Sequence, residues 1–298
     1  MIDQAQRLRE LVLEQVDTKE SIGETAKMQQ MNARVIAIAS GKGGVGKSNF
    51  ATNLAIQLRK IGKRVVIIDA DFGLANVEIL MGVSPKHNVT DVINGKVSME
   101  AALTTGPVGC MFLSGGTGIS ALTEITDSQL EYLTNGFLSL DNLTDCIIID
   151  TRAGLSNVVI NFIKAAADTI VVTTPDPTAI ADAYALIKST KAAMPEIKEL
   201  KLVVNCAVND AEATEVFEKL SGVSGRFLGV TLVFLGAIPY DTHLIRAVRR
   251  QKPVSIAYPY AVSTARFAAI CGKLMEMDVQ KRSSVGSFVL KLIGRFSS

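Results

Sequence analysis

Between Arg34 and Pro239 the sequence alternates short apolar runs with longer amphipathic stretches, and this alternation limits the possible folds more than any other feature. The apolar runs are RVIAIAS, RVVIIDA, CMFLSGG, CIIIDT, TIVVTT, LVVNCAV and LVFLGAIP. The stretches at 48–61, 127–139, 156–167, 178–192 and 211–221 have helical periodicity. Strands that alternate with helices predict an α/β fold, a doubly wound and mostly parallel sheet with helices on both faces. Ligands bind such sheets at the carboxyl ends of the strands.

The composition supports this fold and excludes some functions. The chain is 48% hydrophobic but only 5% aromatic, with no Trp, which predicts a core of aliphatic side chains. A formal net charge of +2 is smaller than the basic excess of proteins that coat nucleic acids. We therefore expect no specific nucleic-acid partner.

The four cysteines predict core thiols rather than a metal or iron–sulfur site. None of Cys110, Cys146, Cys206 and Cys271 forms a C-x-x-C pair, and three lie in or beside apolar runs. The charged N-terminus differs from a signal peptide, and no uninterrupted apolar run is as long as a membrane span. These features predict a cytoplasmic protein.

The stretch SGKGGVGKS at 40–48 matches a phosphate-binding loop between a strand and a helix. Glycines allow backbone N–H groups to surround phosphate oxygens, and the helix N-terminus adds positive charge. We expect Lys47 to contact the phosphates of ATP and Ser48 to ligate Mg²⁺. The candidate nucleotide-binding residues of the loop are Gly41, Gly43, Gly44, Val45, Gly46, Lys47, Ser48 and Asn49.

A second lysine, Lys42, makes the loop more specific, because KGGVGKS resembles the deviant Walker A motif of the MinD/ParA family. The resemblance implies an ATP-dependent homodimer in which Lys42 reaches the nucleotide of the other subunit. A cation that arrives there stabilises charge in the transition state, so Lys42 and Lys47 are candidate catalytic residues. The alternative is that Lys42 is an ordinary solvated lysine.

The stretch VVIIDADFGLANVEILMG resembles switch I of that family. Asp69 is a candidate metal residue at the strand end, and Asp71 matches the carboxylate that orients the attacking water. Asn76 matches a position near the dimer interface. Asp71 could instead only cap the following turn.

The stretch CIIIDTRAGLS resembles the Walker B and switch II segments, in which Asp150 holds Mg²⁺ through water and Gly154 senses the terminal phosphate. Arg152 departs from the family's D-T-G-A-G and D-S-P-A-G patterns. If the backbone there takes a positive φ, arginine costs about 1 kcal/mol or more. Arg152 either weakens switching or contacts the nucleotide itself.

Two later strand ends resemble the family's adenine-binding regions. Asn205 ends LVVN, and Pro239 and Asp241 lie in IPYD. An Asn side chain both donates and accepts hydrogen bonds, as an adenine edge requires.

The C-terminal residues form an apolar helical face with only basic charges around it. We expect this basic amphipathic helix to bind an anionic membrane surface, and ATP-driven dimerisation to strengthen that binding. The alternative is a helix that packs on its own core or on a partner protein. The face consists of Val285, Phe288, Val289, Leu292, Ile293 and Phe296.

The N-terminal stretch DQAQRLRELV resembles the D-Q-A-x-x-L-R motif of FlhG-type proteins, which are MinD-like ATPases that set flagellar number and placement. That resemblance implies that the N-terminal helix stimulates the GTPase FlhF, and that basal-body switch-complex proteins are further partners. The residues that match the motif are Asp3, Gln4, Ala5, Leu8 and Arg9.

The sequence therefore predicts four segments: a GTPase-activating helix at 1–16, a tether at 17–32, an ATPase domain at 33–277, and a linker with a membrane-targeting helix at 278–298. The implied function is a slow, regulatory Mg²⁺-dependent ATPase. It would be cytoplasmic and would bind the inner face of the cell membrane when ATP is bound. A cell-division MinD and a DNA-partitioning ParA are the alternatives.

Overall fold

The computed structural model describes residues 33–71, 76–116 and 127–277, together with residues 285, 286, 288, 289 and 291. At 127, 128, 130 and 131 it describes the backbone only.

An eight-stranded sheet forms the centre of the molecule, in the order β3-β4-β2-β5-β1-β6-β7-β8. All neighbouring strands are parallel except β3 and β4, which pair antiparallel at one edge. The strands are β1 Arg34–Ala39, β2 Val65–Ala70, β3 Thr104–Thr105, β4 Met111–Leu113, β5 Cys146–Thr151, β6 Asp168–Thr173, β7 Glu199–Ala207 and β8 Thr231–Pro239. The predicted mostly parallel α/β fold is confirmed.

Helices cover both faces of the sheet. They are α1 Lys47–Lys60, α2 Asn76–Met81, α3 Val89–Ile93, α4 Met99–Ala102, α5 Asp127–Ser139, α6 Asn157–Ala165, α7 Pro177–Ala193, α8 Asp210–Leu228, α9 Thr242–Arg249, α10 Val254–Ala257 and α11 Val262–Glu276. Short 3₁₀ helices lie at Pro107–Gly109 and Leu140–Asn142. In the part of the chain that the structure describes, no helix has the length and apolarity that crossing a bilayer requires.

Side-chain alternation along the strands divides the core into layers. Ile36 and Ile38 of β1 pack with α1 and α11, where the rings of Phe50 and Phe267 lie 6.1 Å apart. Val35 faces the opposite layer, which contains α3, α4 and α5. Because β1, β2 and β5 are covered on both faces, their sequences are continuous apolar runs rather than alternating ones.

Four elements were not predicted from the sequence: α2, α3, α4 and the two-residue strand β3. Each is six residues or shorter, so hydrophobic periodicity cannot identify it. Capping residues in the sequence are the signal that could have identified two of them, α3 and α4. Asn88 and Asp91 form a reciprocal capping box at α3, and the Ser98 hydroxyl accepts the Ala101 N–H at α4.

A buried ion cluster joins the amino ends of three central strands. The Asp168 carboxylate of β6 accepts from Arg34 Nε of β1 at 2.7 Å and from Lys201 Nζ of β7 at 2.6 Å. The Arg34 guanidinium also donates to the Leu274 carbonyl of α11. Burial acts to raise the pKa of Asp168, but the two cations outweigh burial and lower it.

The described part of the C-terminal segment is helical and packs against the core. Val285 and Phe288 are completely buried, Val289 is almost so, and the ring of Phe288 lies 5.4 Å from that of Phe137 on α5. The sequence analysis favours a membrane surface for this face, but the structure places these three side chains in the molecule's own core. The physical reason is that the layer of α3 to α6 offers them an apolar surface that the sequence pattern does not reveal.

Candidate functional site

A cleft of about 470 Å³ opens at the carboxyl edge of the sheet, where β1, β2 and β5 end side by side. Its size is typical of small-molecule sites. The residues that line it are Ser40, Lys42, Gly43, Gly44, Val45, Gly46, Lys47, Ser48, Asn49, Asp71, Asn76, Ile79, Leu80, Ala153 and Val248. The phosphate loop therefore forms one wall, and the two predicted switch segments form another.

The loop backbone takes conformations that require glycine. Gly44 and Gly46 have φ of 81° and 88°, in the left-handed region. A Cβ atom added at Gly43 or Gly44 would meet no atom within 4 Å, so the loop backbone borders open space. Gly46 is the N-cap of α1 and has no side chain to cap the first-turn N–H groups. These donors are therefore suited to bind an anion.

Close contacts on the far side fix the loop in place. The Asn205 side-chain amide of β7 donates to the Val45 carbonyl at 2.8 Å, and a Cβ atom on Gly46 would overlap that same amide. A Cβ atom on Gly41 would overlap the backbone carbonyl of Asp182 in α7. The loop is thus held between β7 and α7, and Gly41 serves this close approach rather than the lining of the cleft.

Lys47 and Asp150 form a buried ion pair at the floor of the cleft. The Lys47 ammonium donates to Asp150 Oδ1 at 2.6 Å, and both side chains are buried. The other oxygen, Oδ2, is also buried and has no hydrogen-bond partner in the described part of the chain. Since a buried carboxylate oxygen normally has a partner, this oxygen is suited to a cation or to a water bound to one.

The donor set near Asp150 fits Mg²⁺. The Ser48 hydroxyl lies on the same cleft, and Mg²⁺ prefers one or two such oxygen ligands together with phosphate oxygens and water. Among the described residues, no group of three or more His, Cys, Asp or Glu side chains converges into a metal cage. Phosphate oxygens of a bound nucleotide and water would supply the other ligands that Mg²⁺ prefers.

Asp69 is predicted from the sequence as a metal residue. In this structure its carboxylate accepts hydrogen bonds from the backbone of switch I. Its Oδ1 accepts from the Asp71 N–H and its Oδ2 from the Val77 N–H, both at 3.1 Å. Burial, reinforced by the charge of Asp150, raises the pKa of Asp69 to about 7. Asp69 thus anchors the switch I backbone at Asp71 and at Val77, and it does not line the cleft.

Asp71 does face the cleft, and an arginine lies beside it. Burial raises the pKa of Asp71, while the charges of Lys47 and Arg152 act against that rise. Arg152 Nε lies 3.9 Å from Asp71 Oδ1. The expected strain at Arg152 is absent, because the non-glycine residues with positive φ in the described ranges are Val108, Cys206 and Gln251. Gly154, with φ of 102°, takes the left-handed position in this turn.

Lys42 lies at the mouth of the cleft and pairs within its own chain. Its ammonium lies 3.4 Å from Asp176 Oδ2 and also contacts the Thr178 hydroxyl. Asp176 is the N-cap of α7, and hydrogen bonds from Thr178 lower its pKa to about 2. The sequence analysis missed this partner, although the stretch DPT is a helix-start signal. The Lys42 side chain is 39% exposed, so it can leave this contact.

The three predicted adenine-binding residues do not line the cleft. The Asn205 amide group is used to support the loop, and Pro239 lies at the end of β8. Asp241 is the N-cap of α9, and its carboxylate accepts from the Ser263 hydroxyl at 2.7 Å and from the His243 N–H at 2.8 Å. These side chains build the frame around the site.

Two apolar side chains of the switch segments are exposed. Ile79 of α2 is 51% exposed and lines the cleft, and Leu155 of switch II is 47% exposed. Asn76, predicted to lie near a dimer interface, lines the same wall.

Several predicted residues lie outside the described part of the chain. They are Asp3, Gln4, Ala5, Leu8 and Arg9 at the N-terminus, and Leu292, Ile293 and Phe296 at the C-terminus.

Comparison with known proteins also indicates a P-loop NTPase of the ParA/MinD type. The ParA family model, described as an NUBPL iron-transfer P-loop NTPase, matches residues 31–275. The antiactivator FleN of Pseudomonas aeruginosa is 35% identical over 272 residues, which cover 89% of this chain and 97% of FleN. The flagellum site-determining protein YlxH of Helicobacter pylori is 34% identical over 246 residues, or 82% of each chain.

A solved structure shows the same fold. The septum site-determining protein MinD from Pyrococcus horikoshii, in complex with Mg-ADP, superposes with a TM-score of 0.67 at 22% identity. The match covers 83% of this chain and 98% of that one.

The prediction of four core thiols is correct for Cys110, Cys146 and Cys271, which are buried, and wrong for Cys206, which is exposed. Burial raises the pKa of the Cys110 thiol to about 12. These buried thiols are unlike metal-binding thiolates.

Proposed function

The chain belongs to the ParA/MinD family of P-loop NTPases, and we propose that ATP switches it between a monomer and a membrane-associated homodimer that regulates flagella. Its relatives, the antiactivator FleN and the flagellum site-determining protein YlxH, each match more than four-fifths of the chain. We infer that this protein, like the FlhG-type proteins it resembles, sets flagellar number and placement through slow hydrolysis of ATP.

The different settings of the two loop lysines carry this proposal. Lys47 is buried against Asp150 and lines the floor of the cleft. Lys42 is held at the mouth by a solvent-exposed ion pair, which contributes little free energy. A lysine in that position can exchange Asp176 for phosphates that a second subunit presents. ATP binding and dimerisation would then be one event.

Hydrolysis in this scheme depends on residues that already face the cleft. Asp71 is proposed to orient the attacking water, and Lys42 and Lys47 to stabilise charge on the phosphates. Mg²⁺, held by Ser48 and through water by Asp150, would neutralise phosphate charge. The observed Lys47–Asp150 pair supports this arrangement, because it places a cation and a carboxylate together at the cleft floor.

The C-terminal helix provides a way to couple nucleotide to membrane. Val285, Phe288 and Val289 are buried, so this face binds a lipid surface only after the helix leaves the core. We propose that the dimer releases the helix, and that two released helices on one dimer bind an anionic bilayer together. The protein would then be cytoplasmic as a monomer and peripheral on the inner face of the cell membrane as a dimer.

The N-terminal segment at 1–16 is proposed to stimulate the GTPase FlhF, and the ATPase domain to bind basal-body switch-complex proteins. The support is the D-Q-A-x-x-L-R motif and the similarity to flagellar relatives. Deletion of 1–16 should leave ATP hydrolysis intact and abolish stimulation of FlhF. Stimulation that survives the deletion would reject this role and leave a MinD-type division regulator as the better candidate.

The proposed switch is tested by light scattering and liposome co-sedimentation. We expect ATP, but not ADP, to double the mass of the wild-type chain, and we expect Lys42→Ala to remain monomeric. With ATP, the full chain should sediment with anionic vesicles, whereas a chain that ends at Arg282 should dimerise but stay in solution. A wild-type chain that stays monomeric with ATP would reject the switch. Sedimentation of the truncated chain would reject the role of the helix.

A further inference from the structure

Arg152 lies beside Asp71 because of the strand register. Asp69 of β2 is paired with Asp150 of β5, and Ala70 with Thr151. The next residue on each parallel strand is therefore Asp71 on one side and Arg152 on the other. Since both strands end here, the two side chains leave the sheet together, and Arg152 Nε lies 3.9 Å from Asp71 Oδ1.

Hydrogen bonds hold the chain on both sides of Arg152 to β1 and to Ser40, the residue that follows β1. The Thr151 hydroxyl donates to the Ile38 carbonyl at 3.0 Å, and the Gly154 N–H donates to the Ser40 carbonyl at 2.9 Å. The turn that carries Arg152 is thereby braced against the base of the phosphate loop. These bonds fix where the Arg152 side chain leaves the backbone, beside the end of β2.

The two cations near Asp71, Lys47 and Arg152, differ in burial and in their hydrogen bonds. Lys47 is buried and bonded to Asp150 at 2.6 Å, whereas the Arg152 side chain is 74% exposed. In the described part of the chain, Asp71 is the carboxylate that Arg152 pairs with. The Asp71 side chain is only 14% exposed, and at 3.9 Å its Oδ1 has an electrostatic contact with the arginine rather than a hydrogen bond.

We propose that Arg152 is a positioning residue that acts through Asp71: its guanidinium competes with the attacking water for the carboxylate and so keeps the basal ATPase rate low. This inference rests on the role of Asp71 proposed above. A nearby guanidinium charge favours the ionised carboxylate and makes it a weaker acceptor for a water proton. Arg152 is exposed at the rim of the cleft, so an incoming anionic group with more charge than Asp71 competes for it and frees the carboxylate.

Removal of the guanidinium should raise the basal rate of ATP hydrolysis by a modest factor. Arg152→Ala and Arg152→Gln should raise kcat for basal ATP hydrolysis by about two- to fivefold, because exposed ion pairs rarely contribute more. KM should stay unchanged, since Arg152 is not proposed to bind the ground-state nucleotide. Arg152→Lys should restore much of the low rate. Arg226→Ala, at an exposed arginine of α8, is the matched control and should leave kcat unchanged.

A double variant with Asp71 tests whether Arg152 acts through Asp71 or has only a structural role. The lifetime of the ATP-bound dimer is measured as well as the rate of turnover. In the wild-type background, Arg152→Ala should shorten that lifetime in light scattering by the same factor by which it raises kcat. In an Asp71→Ala background, the same change should leave the lifetime unaltered. A lifetime change of equal size in both backgrounds would overturn the proposal.

The kinetic outcomes also distinguish this inference from the proposed switch. If wild type hydrolyses ATP and dimerises but the Arg152 variants have an equal or lower kcat, the restraint alone is rejected. If neither wild type nor Arg152→Ala hydrolyses ATP, the proposed switch and the restraint both fail. Hydrolysis that appears only in the Arg152 variants would support the restraint in its strongest form.

Discussion

Replacement of Phe288 by alanine should release the C-terminal helix from the core. The side chain is completely buried, and its ring packs against Phe137 with centroids 5.4 Å apart and planes 54° apart. Truncation of a buried Phe costs about 3–5 kcal/mol. Of this, the aromatic pair contributes roughly 0.5–1.5 kcal/mol beyond the burial of area.

That loss is large compared with the free energy that docks the helix. Val285, Phe288 and Val289 are the described apolar anchors, and full burial of such side chains contributes about 1.5–3 kcal/mol each. Ordering the backbone opposes docking by about 1–2 kcal/mol per residue. The net docking free energy is therefore a few kcal/mol at most, and Phe288→Ala should remove most of it.

Hydrogen exchange measures this release directly. In Phe288→Ala, amide exchange at 285–291 should speed up by roughly 100-fold, since each 1.4 kcal/mol corresponds to a factor of ten. Exchange in β1 and β5 should not change. The matched control is Phe227→Ala, because Phe227 is 66% exposed on α8 and its loss should alter the free energy of unfolding by less than about 0.5 kcal/mol.

The same variant should bind anionic vesicles without ATP, because its helix no longer has to be released. Exchange at 285–291 that stays as slow as in the wild type would refute the reasoning, since the helix would then be held by contacts other than those of Phe288.

Three further perturbations test individual contacts. Asp168→Asn, which removes the carboxylate between two buried cations, should destabilise the fold by about 3–5 kcal/mol in urea denaturation at pH 7. Because the folded-state pKa of Asp168 is depressed, this difference should vanish as the pH falls below that pKa. Gly46→Ala should abolish nucleotide binding in a fluorescent-ATP titration, because its φ of 88° and its contact with Asn205 exclude a Cβ atom; binding at wild-type affinity would show that the loop adapts. Asp176→Asn keeps a helix cap but weakens the hold on Lys42, so ATP-dependent dimerisation should tighten by less than about fivefold at an unchanged melting temperature.

The local features of the site were predictable, because each depends on residues close in sequence. The glycines at 44 and 46 have the positive φ values that a phosphate loop needs. The strand before the loop and the helix after it follow from apolar runs and periodicity. The short helices α2, α3 and α4 were missed because four to six residues do not form a measurable period.

Side-chain partners distant in sequence were not predictable. Lys47 bonds to Asp150, 103 positions away, and Asn205 bonds to Val45, 160 positions away. The sequence analysis assigned Asn205 and Asp241 to the adenine, and that role stays a prediction. It did not foresee that the first braces the loop and that the second caps α9. Each of these side chains can make several kinds of hydrogen bond, and the neighbour that the fold supplies decides which one forms.

By itself, the sequence determined the doubly wound sheet, the phosphate loop at its carboxyl edge and the deviant lysine, because hydrophobic period and glycine conformation are local properties of a chain. Only the tertiary structure decided that Asp69 anchors switch I, that Arg152 lies beside Asp71, and that Phe288 is buried. Strand register and layer packing bring these groups together, and the burial that results determines whether a charge is paired and whether an apolar face is covered.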